Sequence, residues 1–281
     1  MATLPAETRM GPVELTVSDL ERSLDYYRGS IGLGVRDQSG GRASLGSNGS
    51  ELLVLHELPG ARPAPHSTGL FHFALLVPER RDLASWLAHA GRERVPLSGA
   101  SDHFVSEALY LRDPDEHGIE IYADRPRDVW DGQTERLTTE PLDIDSLLGE
   151  LDDPETDRFE RLPEGTVMGH VHLQVAEIPE TVGFYRNRLG FELTASLGGQ
   201  AAFLAAGGYH HHVGANTWQS AGAAPPPEGS AALQRATILF PDSQSRDEAL
   251  KRVAEGSQEP EETPEGPVVR DPSGNRLLLG A

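Results

Sequence analysis

The strongest constraint on the fold is a duplication that runs through the whole chain. Segments of the first half recur in the second half at a constant offset of 158 residues. The matched segments are GPVELTV at 11–17 with GHVHLQV at 169–175, Tyr26-Tyr27-Arg28 with Phe184-Tyr185-Arg186, Ile31-Gly32-Leu33 with Leu189-Gly190-Phe191, and Asp113-Pro114 with Asp271-Pro272. An offset held from one end to the other indicates two copies of one structural unit.

A weaker repeat divides each copy again. The alternating strand at Gly69–Val77 resembles the one at Gly11–Val17, and Ala236–Phe240 holds the equivalent place in the second copy. Helix-periodic segments follow these strands. We therefore predict an α+β protein of four βαβββ modules, two in residues 8–126 and two in 166–281. Residues 127–165 are acidic and contain proline, which predicts a partly ordered linker with one helix near 144–151.

Composition excludes several classes of function. The formal charge is −20 and Lys251 is the single lysine, a balance that disfavours binding to nucleic acid or to an anionic membrane surface. The chain contains no cysteine, so any metal must be held by His, Asp or Glu. It has no membrane-length apolar run and no signal-peptide core near the N-terminus, from which we expect a cytoplasmic protein. High acidity with almost no lysine also suggests adaptation to concentrated salt.

One carboxylate interrupts a predicted hairpin. The stretch EALYLRDPDEHGIEIY at 107–122 reads as two strands around a polar turn, and Glu120 lies between Ile119 and Ile121. Strand alternation places Glu120 on the opposite face from both isoleucines. Either that face is exposed to water, which is the commoner situation, or the carboxylate is buried with a metal or a basic partner.

The pattern of modules resembles the vicinal-oxygen-chelate superfamily of glyoxalases, bleomycin-resistance proteins and extradiol dioxygenases. The residues that carry the resemblance are GHVHLQV, FYRNRLGF, GLFHFALL, YLRDPDEHGIEIY and GGYHHHVGANTW. The last two, with His103, are most similar to the two-domain catechol 2,3-dioxygenase branch. The resemblance implies that the modules pair into two half-open barrels.

The resemblance changes the interpretation of two strand histidines. Taken alone, His72 and His172 are typical of core histidines bonded to the backbone. They occupy the same position in their modules, however, and the superfamily takes metal ligands from first and last strands. His72, His172 and Glu120 would then form a two-His, one-carboxylate site for Fe(II), with Mn(II) as the alternative. The set is complete only if modules two and three share a barrel, within one chain or by exchange in a dimer. His170 shares the parity of His172 and stays unassigned.

A second set of residues matches the substrate pocket of similar dioxygenases. His103 and Tyr110 lie between His72 and Glu120 in sequence, where those enzymes have a histidine and a tyrosine. Taken alone, they are a loop histidine and a core aromatic. His211 best fits the acid/base histidine, although a shift of one residue would select His210 or His212.

The resemblance carried by these residues implies an extradiol ring-cleaving dioxygenase that uses Fe(II) and O₂ on catechol or a substituted catechol, in the breakdown of aromatic compounds. Two alternatives stay open: a glyoxalase-like metal-dependent isomerase or lyase, and a non-catalytic small-molecule binding or resistance protein. A homo-oligomer is compatible with the sequence.

Overall fold

The computed structural model describes residues 3–47, 49–256 and 259–281, which form two large sheets flanked by helices. Each module starts with a strand, continues into a helix and ends with strands. The elements of the first two modules are β1 Arg9–Val17, α1 Leu20–Tyr26, β2 Gly34–Ser39, β3 Arg42–Ser47, β4 Ser50–Glu57, a short β5 Arg62–Pro63, β6 Gly69–Leu76, α2 Arg80–Glu93, β7 Gly99–Asp102, β8 Ser106–Arg112 and β9 Gly118–Asp124. The predicted α+β class is confirmed.

The second half repeats this order. Its elements are β11 Val167–Gln174, α5 Ile178–Gly183, β12 Glu192–Leu197, β13 Ala201–Ala205, β14 Val213–Asn216, a short β15 Ser230–Ala231, β16 Leu233–Leu239, α6 Ser243–Ala254, β17 Glu261–Thr263, β18 Gly266–Arg270 and β19 Arg276–Gly280. Both α1 and α5 continue into a π-helical turn, Tyr27–Ile31 and Phe184–Leu189, that ends at a glycine with positive φ, Gly32 and Gly190. Glycine suits this left-handed position because it has no Cβ. No helix in the described ranges is both long and apolar enough to cross a bilayer.

The two sheets pair the modules across the linker. One sheet joins modules two and three in the order β10-β7-β8-β9-β6-β11-β14-β13-β12, in which β10 is Glu140–Pro141 of the linker. The other joins modules four and one in the order β17-β18-β19-β16-β1-β4-β3-β2. The seam of the first sheet is the antiparallel pair β6–β11, and that of the second is β1–β16. The barrels therefore do not coincide with the sequence halves 8–126 and 166–281, and the proposed ligand set can be assembled within one chain.

The two faces of the nine-stranded sheet differ in character. Ile119 and Ile121 of β9 point into the main hydrophobic core, together with Phe73 and Leu75 of β6. The alternate residues lie on the concave face, where Ala74, Ala108 and Tyr122 form a small separate cluster. Glu120 has the parity of Tyr122 and so lies on the concave face.

The linker is structured and closes one end of this concave face. It contains α3 Arg127–Trp130, a 3₁₀ turn Thr134–Arg136, β10 Glu140–Pro141 and α4 Ile144–Leu148. The strand β10 pairs with β7 and so extends the nine-stranded sheet. Trp130 and Leu137 pack with Val105, Ala201 and Phe203, which attaches the linker to both modules of the barrel.

Candidate metal centre and active site

Three side chains on the concave face meet at one point. Glu120 comes from β9, His72 from β6 and His170 from β11, three strands that are neighbours in the sheet. His72 Nε2 lies 2.9 Å from Glu120 Oε2, His170 Nε2 lies 3.2 Å from the same oxygen, and the two nitrogens are 3.3 Å apart. All three residues are buried. Across the described part of the chain, no other group of three His, Asp or Glu residues brings its ligand atoms within 4.8 Å of one another.

The electrostatics of this group suit a divalent cation. Burial acts to raise the pKa of Glu120, but the charges and hydrogen bonds of His170 and His72 outweigh it and hold the pKa well below 4.5. Burial lowers the pKa of His170, against the opposing effect of Glu120. The group therefore presents an ionised carboxylate beside an imidazole, His170, that gives up its proton more readily than a free histidine, as a metal ligand must.

The spacing of the three atoms also fits a metal. Neighbouring ligands on an octahedral ion with bonds of about 2.1 Å are separated by about 3.0 Å. The observed separations of 2.9, 3.2 and 3.3 Å are close to that value. Two imidazoles and one carboxylate on one side of an ion are the donor set of non-haem Fe(II) sites, which leave positions open for substrates.

His172, which the sequence predicted as the third ligand, does not belong to this group. His170 lies opposite Ala74, and Ala74 lies beside Glu120 in the next strand, so His170 and Glu120 share one row across the sheet. His172 lies opposite His72 in the next row. Its ring covers Gly214, where a Cβ would come within 2.9 Å of the imidazole. The register therefore replaces His172 with His170 as the histidine nearest the carboxylate.

His172 still borders the site. Its ring centre is 5.0 Å from that of His72 and 5.2 Å from that of Phe71. Its Nε2 is buried and has no hydrogen-bond partner in the described structure. Burial, together with the nearby His72 and His170, holds the pKa of His172 well below 6.5, so the ring is neutral.

A cavity of about 420 Å³ opens onto the three ligand atoms. This volume is within the range of small-molecule sites. Aromatic side chains of Phe71, Phe203 and Trp218 form much of its wall, and His103, Tyr110, His172 and His211 supply polar groups; the linker adds Leu137 and Thr139. The cavity thus combines apolar aromatic side chains with a few hydrogen-bonding groups near the candidate metal position.

His103 and Tyr110 form a hydrogen-bonded pair whose direction is set by the linker. His103 Nδ1 is 2.6 Å from the carbonyl oxygen of Thr138, which can only accept, so Nδ1 carries the proton. In the neutral ring Nε2 is then an acceptor, and it lies 2.6 Å from the hydroxyl of Tyr110. Burial raises the pKa of Tyr110 well above 10, which keeps the phenol protonated as the donor. The linker carbonyl thus fixes the orientation of the His103 ring on the cavity wall, with the un-ionised phenol of Tyr110 beside it.

The three consecutive histidines at 210–212 have different surroundings. His211 lines the cavity, and its ring centre is 4.1 Å from that of His170. His210 is fully buried and contacts Asp124 and His211. His212 accepts a hydrogen bond from the backbone N–H of Ala206 through Nδ1. Of the three, His211 is the one that reaches the cavity, and burial lowers its pKa well below 6.5.

The family model for the glyoxalase, bleomycin resistance protein and dioxygenase superfamily matches the chain twice, at residues 9–121 and 167–279. The chain belongs to this superfamily. The two matches fall inside the two halves that the duplication predicted.

One related protein and two solved structures are similar to this superfamily member over nearly the whole chain. It is 40% identical over 279 residues to a catechol-2,3-dioxygenase of Bacillus subtilis (strain 168), covering 97% of this chain and 96% of that protein. Glyoxalase I from Zea mays shares its fold, with a TM-score of 0.59 and 17% identity over 97% of this chain and 92% of that one. The CppA protein of Streptococcus pneumoniae TIGR4 is similar, with a TM-score of 0.57 and 14% identity over 97% of each chain.

Sequence reasoning on this superfamily member missed several residues of the site. The spacing of His170 and His172 put both on one face of β11, but it carried no signal to choose between them. The linker residues Leu137 and Thr139 had no motif at all. Asp124, the hydrogen-bond partner of His210, lies four residues after Glu120 on β9. Strand alternation therefore predicts that both side chains lie on the same face, and the sequence held no other signal for Asp124.

Proposed function

We propose that the chain is an extradiol dioxygenase that cleaves the ring of catechol or a substituted catechol with Fe(II) and O₂. The single observation that carries the proposal is the close group of His72, Glu120 and His170 on the wall of an aromatic-lined cavity. The 40% identical relative named catechol-2,3-dioxygenase supports the same reaction. Mn(II) accepts similar ligands and is the alternative metal.

In this proposal the metal is held by His72, His170 and Glu120, with His170 in the position first predicted for His172. Bound there, Fe(II) would hold the catechol and O₂ side by side and pass electron density from the ring to oxygen. Overall, both atoms of O₂ add to the substrate and a carbon–carbon bond beside the diol breaks, which gives a hydroxymuconic semialdehyde from catechol. The partners are thus a small aromatic substrate and O₂.

The side chains that line the cavity supply the remaining functions in this proposal. Phe71, Phe203 and Trp218 hold the flat ring and exclude water. His211 accepts a proton from a catechol hydroxyl and later returns it as an acid, a contribution of about 10²–10⁴ in rate. The phenol of Tyr110, held in place by its hydrogen bond to His103, lies on the cavity wall, where its oxygen accepts a hydrogen bond from a catechol hydroxyl.

The glyoxalase-like isomerase is less well supported. Enzymes of that kind usually use four protein ligands with two carboxylates, and the first copy has a carboxylate, Glu14, at the position that His172 occupies in the second. Glu14 lies on β1 in the other sheet, where its oxygens bind Arg235 at 2.6 Å and His56 at 2.8 Å. A non-catalytic binding protein, in turn, has no need of the His211 and His103–Tyr110 groups.

The test is anaerobic loading with Fe(II), followed by catechol and air. We expect a yellow ring-fission product from the wild type and none from Glu120→Gln. Glu14→Gln is the matched control. Glu14 is also a strand carboxylate with a histidine partner, but both residues lie in the other sheet, so this variant should keep the activity. Absence of ring cleavage by the iron-loaded wild type, with isomerisation of a glutathione hemithioacetal by the Ni²⁺ or Zn²⁺ form, would replace the proposal with the isomerase.

A further inference from the structure

The active-site cavity borders a second cavity of about 360 Å³. Phe71, Arg112 and Gln219 line both, so these three side chains form the boundary between them. The wall of the second cavity includes the segment 63–71 and residues of the turn that follows β8. The active-site cavity itself, at about 420 Å³, has a volume typical of sites for drug-sized molecules, which are larger than catechol. The site therefore has room for a substituent on the catechol ring.

The register of β8 and β9 places Arg112 one row from the carboxylate of the candidate metal centre. Tyr110 pairs with Glu120, and Arg112, two residues further along β8, pairs with Gly118. Two residues of a strand span about 7 Å, and their side chains share one face. Gly118 adjoins His72, because a Cβ on this glycine would lie 3.1 Å from the Cβ of His72. Since glycine has no side chain, β9 places nothing between Arg112 and His72 in this row.

The guanidinium of Arg112 is the one permanently positive group among the described residues that line either cavity. Its Nη1 donates to the carbonyl oxygen of Glu116 at 2.8 Å. The Glu116 carboxylate is 63% exposed and 3.8 Å from Nε, and exposed ion pairs of this kind contribute little. Asp115, which also lines the second cavity, is bound by Arg22 at 2.7 Å and by the hydroxyl of Ser18. Arg112 therefore keeps N–H groups for a further acceptor.

We propose that Arg112 is a specificity-determining residue that binds a carboxylate substituent on the ring of a substituted catechol. The inference rests on the proposed ring cleavage and names the substrate class for the same site. A carboxylate fits because the planar guanidinium donates two parallel hydrogen bonds to its two oxygens. The diol faces the metal ligands, and the substituent extends to the boundary with the second cavity. In a chain with a net charge of −20, this local cation also offsets the repulsion of an anionic substrate.

The duplication supplies a matched control for Arg112. Arg270 occupies the equivalent position in the second copy, at the offset of 158 residues, and it also precedes an Asp-Pro turn. It ends β18 in the other sheet, and its side chain is 53% exposed, against 46% for Arg112. A purely structural role in the turn would be common to both arginines. Arg270 does not line the active-site cavity, so a role in substrate binding separates them.

The experiment compares the wild type, Arg112→Gln, Arg112→Lys and Arg270→Gln. The probes are catechols that carry an acetate or a propionate side chain on the ring, each with its primary amide, which has nearly the same shape and no charge. Titration calorimetry without O₂ measures their affinities for the Fe(II)-loaded and the metal-free protein. The quantity of interest is the affinity of each acid divided by that of its amide.

We expect the wild type and Arg270→Gln to bind at least one acid about fivefold or more tightly than its amide. Arg112→Gln should bind acid and amide equally. Arg112→Lys should keep part of the preference, because it retains the charge but loses the planar fork. Raising the KCl concentration to about 1 M should reduce the preference of the wild type, since salt screens the charge of a half-exposed guanidinium.

Three results would overturn the proposal: equal affinity of the wild type for each acid and its amide, a preference that persists in Arg112→Gln, or a loss in Arg270→Gln as large as in Arg112→Gln. These affinities do not depend on turnover. If the iron-loaded wild type cleaves none of the catechols in air, the proposed function fails. The acid-to-amide ratio of the metal-free protein still decides whether Arg112 binds the carboxylate.

Discussion

His170 Nε2 lies 3.2 Å from Glu120 Oε2, although β11 and β9 are separated by β6. The residue of β6 between them is Ala74, which pairs with both. A methyl group is small enough for the two longer side chains to meet above it, where His72 joins them from the next row. The small side chain of Ala74 is therefore a requirement for His170 and Glu120 to meet in the candidate metal centre.

Removing the imidazole of His170 should remove metal binding. We expect His170→Gln to weaken Mn²⁺ affinity about 100-fold or more, because a lost ligand costs at least as much as a lost outer partner. His172→Gln, a substitution of the same size on the same face of β11, should change the affinity by less than about tenfold. Titration calorimetry of the metal-free protein measures both. A larger loss in His172→Gln than in His170→Gln would restore His172 as the ligand.

Gly169 should be intolerant of a side chain. It is an extra residue in β11 opposite β6, and a Cβ at this position would lie 1.9 Å from the hydroxyl of the buried Tyr122. Gly169→Ala should lower the free energy of unfolding by about 1–3 kcal/mol and displace the neighbouring His170, which weakens metal binding. In the control Gly91→Ala the new methyl meets no atom within 4 Å, and a helical alanine should be neutral or stabilising. Urea unfolding compares the two, and equal stability would contradict the prediction.

The linker should contribute to substrate binding through Trp130. This side chain is buried, donates from Nε1 to the carbonyl oxygen of Arg125 at 2.9 Å, and packs with Leu137 and Phe203, both of which line the cavity. Trp130→Ala should lower the free energy of unfolding by about 3–5 kcal/mol and raise the KM for catechol. Val129→Ala, at an exposed neighbouring position, should leave both quantities unchanged. An unchanged KM in a folded Trp130→Ala protein would exclude this role.

Salt should stabilise the protein. With a net charge of −20, mutual repulsion disfavours the compact state, and the screening length falls from about 30 Å at 0.01 M to about 3 Å at 1 M salt. We expect the Tm to rise steadily between 0.01 and 1 M KCl and the fold to weaken on dialysis into low salt. A Tm that is flat or falling over this range would contradict adaptation to concentrated salt.

Much of the architecture could be predicted from the chain alone. The offset of 158 residues and the alternating strands led to four modules and the α+β class, because periodicity is a local property. The same periodicity placed His72 and Glu120 on one face of their strands, and the resemblance in spacing singled out His103, Tyr110 and His211. The roles of these residues in metal binding and catalysis are predictions.

What the sequence determined by itself is therefore which residues share a face, and only the tertiary structure decided which of them meet. His170 and His172 lie on the same face of β11, so the sequence pattern alone cannot distinguish them. The pairing of β11 with β6, the extra residue at Gly169 and the small side chain of Ala74 brought His170 to Glu120 and left His172 over Gly214. The linker joined the site for the same reason: contacts between distant segments depend on packing in space, which no local pattern records.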